Sequence, residues 1–72
     1  MSEIFQKLDE MLEILQDGKE RSLTEICEIT NLGRETVGRV VNFLATYGFL
    51  KIIKAEETYV QITDGGKKLL EL

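Results

Sequence analysis

Residues 22–47 carry two helical stripes separated by a break of three residues, and this pattern limits what the chain can fold into. Ser22 and Glu25 match a capping box: the serine hydroxyl accepts from the Glu25 N–H, and the Glu25 carboxylate reaches back to the Ser22 N–H. A short helix then runs to about Thr30, with Leu23, Ile26 and Cys27 on one face. Asn31 is the expected break, because asparagine tolerates the left-handed backbone that often ends a helix. Leu32 is apolar and Gly33 opens the next helix. From Arg34, the apolar residues Val37, Val40, Val41 and Leu44 recur three and four apart. Glu35, Gly38, Arg39, Asn42 and Thr46 fall on the opposite face.

Two helices joined by a tight turn form a helix-turn-helix unit. Its second helix packs one face on the first and offers a polar face that fits the DNA major groove. On that face Arg39 suits guanine edges and Asn42 adenine edges. Glu35 suits cytosine, or simply pairs with Arg39 one turn on. Arg34 and Thr36, near the helix start, suit phosphate. The plain alternative for all five is a solvated helix face. Gly38 weakens the helix but permits close approach to a surface.

The rest of the chain is organised around this unit. Ser2 is placed to cap a first helix, with Glu3 near its positive end. Ile4, Phe5, Leu8, Met11, Leu12 and Leu15 form its apolar stripe, Ile14 lies off that stripe, and Asp17-Gly18 ends the helix. Lys19-Glu-Arg21 is a polar connection, and Gly48 terminates the helix that follows the break. Phe49–Lys54 reads as a strand, Ala55–Thr58 as a turn, and Thr58–Ile62 as a strand with Tyr59 and Gln61 on one face and Val60 and Ile62 on the other. Without an Asn-Gly pair, the hairpin turn is expected to be looser than two residues. Lys51 and Lys54 either meet phosphates or deter edge pairing as solvated strand residues. Thr63 caps a last helix whose start Gly65 and Gly66 weaken, by about 1 kcal/mol each relative to alanine. That short helix cannot direct Leu69, Leu70 and Leu72 into one small core.

In order and spacing, these pieces resemble the winged helix-turn-helix pattern of bacterial and archaeal transcription regulators. The residues that carry the likeness are Cys27, Asn31-Leu32, Thr36-Val37, Tyr47-Gly-Phe-Leu-Lys51 and Ile62-Thr-Asp-Gly-Gly-Lys-Lys-Leu-Leu70, so it covers Ser22 to Leu72 and, less distinctly, the first helix. The resemblance implies an α+β, mainly helical domain: a three-helix core, a two-stranded β-hairpin wing and a C-terminal helix. It implies double-stranded DNA as partner, read by a helix at about residues 33–47. It also implies that Arg21–Leu23 pairs with the wing edge, and that two copies associate through the first and last helices. The wing tip carries Glu56 and Glu57 rather than bases, so it is not expected to press into a groove.

At 72 residues the chain is expected to be a single domain, residues 1–72. No apolar run approaches the roughly 20 residues that span a bilayer, and no export signal opens the sequence, so a cytoplasmic protein without a membrane partner is expected. The single Cys27 excludes an internal disulfide and reads as a packed thiol. The net charge of −4 comes entirely from residues 1–20, so the reading head is neutral and its DNA binding should be weak and salt-sensitive. The chain has no histidine, one cysteine and no phosphate-cradling glycine loop, which argues against an enzyme, a metal site or a cofactor. A homodimer is expected through Leu12, Ile14, Leu69, Leu70 and Leu72, because so small a core is marginal and apolar side chains remain after filling it. The acidic composition and the spare Ile29 and Phe43 keep a second use open, a protein-docking or dimerisation module that does not touch DNA.

Overall fold

The computed structural model describes residues 3–72, with side chains from Gln6 onward. The expected cap at Ser2, and the parts given to Glu3, Ile4 and Phe5, lie outside the described residues. The elements follow in the order α1 (Glu3–Leu15), β1 (Arg21–Ser22), α2 (Leu23–Thr30), α3 (Arg34–Thr46), β2 (Leu50–Lys54), β3 (Thr58–Ile62) and α4 (Asp64–Leu70).

The helices form where apolar periodicity requires them. Met11, Leu12 and Leu15 of α1, Ile26 of α2, and Val37, Val41 and Leu44 of α3 converge in the core with Leu50, Val60 and Ile62 of the hairpin. Full burial of one such side chain stabilises by about 1.5–3 kcal/mol. Leu12, expected at a subunit interface, is only 3% exposed: it shares the α1 face of Met11 and Leu15 and belongs to this core. Cys27 is only half-buried and packs at the core margin. Thr30 is fully buried, and its hydroxyl donates to the Ile26 carbonyl at 2.7 Å. The apolar-stripe reading missed Thr30 because this back-bond lets a threonine behave as a core residue.

The caps explain the boundaries. Ser22 Oγ accepts from the Glu25 N–H at 3.1 Å, as the capping box requires. The reciprocal half is replaced: the Glu25 carboxylate accepts from Arg21 Nη1 at 2.8 Å, a charge-assisted bond between two ionised groups. Asn31 takes the left-handed conformation at φ 57° and ψ 35°, and Lys7 Nζ donates to the last α2 carbonyl, Thr30 O, at 3.0 Å. Gly48, at φ 79°, turns the chain out of α3.

The sheet order is β1-β3-β2, antiparallel throughout. Arg21 pairs with Val60 and Ser22 with Tyr59, so the two-stranded wing gains a short third strand on its β3 side. The hairpin turn is a three-residue bend, Ala55–Glu57, closed by Ala55 N–H donating to Glu57 O at 3.0 Å. Val60 and Ile62 point into the core while Tyr59 and Gln61 stay half-buried on the other face.

Thr63 caps α4 by accepting from the Gly66 N–H at 3.1 Å. Gly66 is required by packing: a Cβ there would overlap the Phe49 carbonyl oxygen and stand 2.6 Å from Ile62 Cγ1. Leu69 and Leu70 are half-buried against the core, and Leu72 is fully exposed.

Gly66→Ala should therefore destabilise by about 1–3 kcal/mol, the range for overpacking, despite the better helix propensity of alanine. Chemical denaturation measures it, with Gly65→Ala as the milder comparison because its Cβ meets Gly48 O at 3.3 Å. A Gly66→Ala protein as stable as wild type would refute the packing argument. The pH dependence follows from Asp17. Its carboxylate accepts from the Lys19 N–H and from Arg21 Nη2, both at 2.9 Å, and these bonds hold its pKa below the ordinary carboxylate value. A depressed folded-state pKa contributes stability above the unfolded pKa, which is lost as pH falls through the folded one. The melting temperature of Asp17→Ala should fall below wild type at neutral pH, and the gap should close in acid.

Candidate nucleic-acid interface

The polar face of α3 is open. Arg34, Glu35, Thr36, Arg39 and Asn42 are all exposed, while Val37, Val41 and Leu44 fix the helix to the core. Glu35 Oε1 accepts from Arg39 Nη2 at 2.8 Å, with both side chains about four-fifths exposed (80% and 78%). This is the one-turn pairing expected from their spacing. Asn42 keeps its side chain in solvent, and its carbonyl accepts from Thr46 Oγ1 at 2.8 Å.

Arg34 is engaged. Its Nη1 donates to Thr24 Oγ1 at 2.9 Å, and that hydroxyl donates to Glu57 Oε1 at 3.4 Å. The first turn of α2, the first turn of α3 and the wing tip therefore meet in one corner. The β1–β3 register accounts for this: with Arg21 opposite Val60 and Ser22 opposite Tyr59, two further residues along each chain bring Thr24 to Glu57. The turn residue Glu57 was legible in sequence; its partner was not, because the pairing joins residues 33 positions apart.

Lys51 and Lys54 are both exposed on β2 but not on one face. Strand alternation sets Lys54 on the side of Leu50 and Ile52, and Lys51 on the opposite side. The structure does not bring them together. A second unforeseen feature lies at the far end of α3. Phe43 and Tyr47, one turn apart, are 56% and 64% exposed with ring centroids 5.0 Å apart in a tilted pair. Both lie off the face that packs on the core, and their one-turn spacing was the available signal.

The residues proposed from sequence for self-association fall on two surfaces. Leu69, Leu70 and Leu72 line a groove of about 420 Å³ between α1 and α4, with Leu8 and Leu12 on its other wall. Ile14 lines a separate hollow with Ile29, between α1 and α2. Among the described residues, no acidic or cysteine cluster could hold a metal ion, and no helix is long and apolar enough to cross a membrane.

Three helices around one core, an exposed polar second helix of the motif, and a hairpin stitched to the motif by β1 define a winged helix-turn-helix domain. No family model and no curated protein matches the sequence. Solved structures do match. Sco5413, a MarR family transcriptional regulator from Streptomyces coelicolor, is 26% identical over 93% of this chain and 49% of its own, with a TM-score of 0.83. BpsR from Bordetella bronchiseptica, whose DNA binding is regulated by 6-hydroxynicotinic acid, is 25% identical over 90% of this chain and 48% of its own, with a TM-score of 0.80. MepR of S. aureus, in complex with DNA, is 15% identical over 90% of this chain and 57% of its own, with a TM-score of 0.81. The chain thus spans about half the length of these regulators.

An exposed pair on one helix contributes little to stability. Arg39→Ala should therefore change the unfolding free energy by less than about 0.5 kcal/mol in a denaturant titration. A larger loss would mean that Arg39 has a structural part.

Proposed function

We propose that this chain is a DNA-binding transcriptional regulator that inserts α3 into the major groove. The observation that carries this reading is α3 itself, held by Val37, Val41 and Leu44 while its polar face stays exposed. The likeness to regulators, one of them bound to DNA, supports it. Arg39 and Asn42 reach base edges, Glu35 tunes or releases Arg39, and Arg34 and Thr36 meet phosphate. Lys51 and Lys54 contact the backbone separately, since they lie on opposite faces of β2. The chain works as one cytoplasmic domain, residues 1–72, and not as an enzyme. It pairs with a second copy through the groove between α1 and α4, where Leu69, Leu70 and Leu72 offer apolar surface. Ile14 contributes through its own hollow.

One observation favours a second reading. The exposed Phe43–Tyr47 pair is the kind of surface a protein partner covers. In that reading the domain docks a protein and leaves DNA alone.

Fluorescence anisotropy on random duplex DNA, at low and moderate salt, separates the two. The DNA reading expects affinity that falls steeply with salt and is lost in Arg39→Ala. No binding at low salt, together with partner loss in Phe43→Ala, would establish docking instead. Light scattering at high micromolar concentration should give a dimer mass, reduced to the monomer by Leu70→Glu.

A further inference from the structure

We propose that Glu57 is a positioning residue that, through Thr24, keeps Arg34 engaged at the wing-tip corner, so that opening this link releases Arg34 to a DNA phosphate. The inference rests on the DNA-binding reading above and names a device within it.

The chemistry of the link is directional. A threonine hydroxyl has one proton to donate. Glu57 Oε1 takes it at 3.4 Å, which leaves the oxygen lone pairs of Thr24 for Arg34 Nη1 at 2.9 Å. The carboxylate therefore orients the hydroxyl that restrains the guanidinium. Arg34 is the cation at the start of α3, and Glu57 also places a negative charge beside the path of any approaching phosphate. All three side chains are exposed, so the link adds little to stability and opens at low cost. A phosphate is the stronger acceptor for Arg34, because both partners are then charged and the guanidinium geometry fits two oxygens. The closed corner is thus a competitor for DNA that the fold carries within itself. Glu56, next to Glu57, has the same charge but takes no part in the link. That makes it an internal comparison.

The experiment is anisotropy of a labelled random duplex with the full chain, run as a salt titration for wild type, Thr24→Val, Glu57→Gln, Glu56→Gln, Arg34→Ala alone and combined with Thr24→Val, and the Thr24→Val/Glu57→Gln double variant. Circular dichroism melts confirm that each is folded. Thr24→Val and Glu57→Gln should each tighten binding by about three- to ten-fold, and the Thr24→Val/Glu57→Gln double variant should gain no more than Glu57→Gln alone, since contacts within one network are not additive. The slope of log affinity against log salt should steepen by about 0.9, one phosphate's worth. Arg34→Ala combined with Thr24→Val should abolish the gain. Equal tightening by Glu56→Gln and Glu57→Gln, with none from Thr24→Val, would reduce the effect to bulk charge and overturn the proposal. Binding by wild type that no variant changes would overturn it while the DNA reading stands. Binding by Thr24→Val or Glu57→Gln where wild type shows none would support it most strongly. Failure of every protein to bind at low salt would overturn both.

Discussion

Two residue pairs, Arg21 with Val60 and Ser22 with Tyr59, join the helix-turn-helix to the hairpin, and most of the structure depends on them. Ser22 belongs to the sheet and also caps α2, so the strand and the helix start are one event. Arg21 stands beside it and binds Asp17 on one side and Glu25 on the other, tying the end of α1 to the start of α2. Because the register is set here, Val60 is directed into the core, and Thr24 is brought to Glu57. A slip by one residue would turn the inward face of the strand outward. The antiparallel contact is short, but its position makes the wing part of the helix-turn-helix unit rather than an appendage.

The second constraint is the close approach of α4 to the start of the hairpin. Thr63 N–H donates to Phe49 O at 3.1 Å, and Thr63 Oγ1 donates to Gly48 O at 2.6 Å. The helix can seat only where no side chain intervenes, which is the reason for a glycine at position 66. Seating α4 so close aims Leu69 and Leu70 at the core margin and leaves Leu72 outside. The groove between α1 and α4 is the geometric consequence of a helix too short to bury its last turn.

Two of the cations on the polar face of α3 have partners within the protein. Glu35 pairs with Arg39, and Arg34 is linked through Thr24 to Glu57. A face of this kind has no free field with which to gather phosphates at long range. The excess of acid lies on the first segment of the chain, residues 1–20.

Much was legible in the residues themselves. Apolar spacing placed α1, α2 and α3, alternation placed β3, and Asn31, Gly48 and Thr63 marked boundaries through local backbone and capping chemistry. These features depend on neighbours within a few positions, where propensity and periodicity act directly. The polar face of α3 was likewise visible, since a helical period assigns each residue a side. What depended on distant contacts was not. The burial of Leu12 and Thr30, and the separation of Ile14 from Leu69–Leu72, follow from how elements pack. So does the meeting of Thr24, Arg34 and Glu57, which requires a sheet register that no local pattern encodes. The sequence by itself determined the elements and their exposed chemistry, because each residue's side of a helix or strand is a local property. The tertiary structure alone decided which apolar side chains remain outside and which polar side chains meet across elements, as Thr24 meets Glu57, because those choices rest on pairings between residues far apart in the chain.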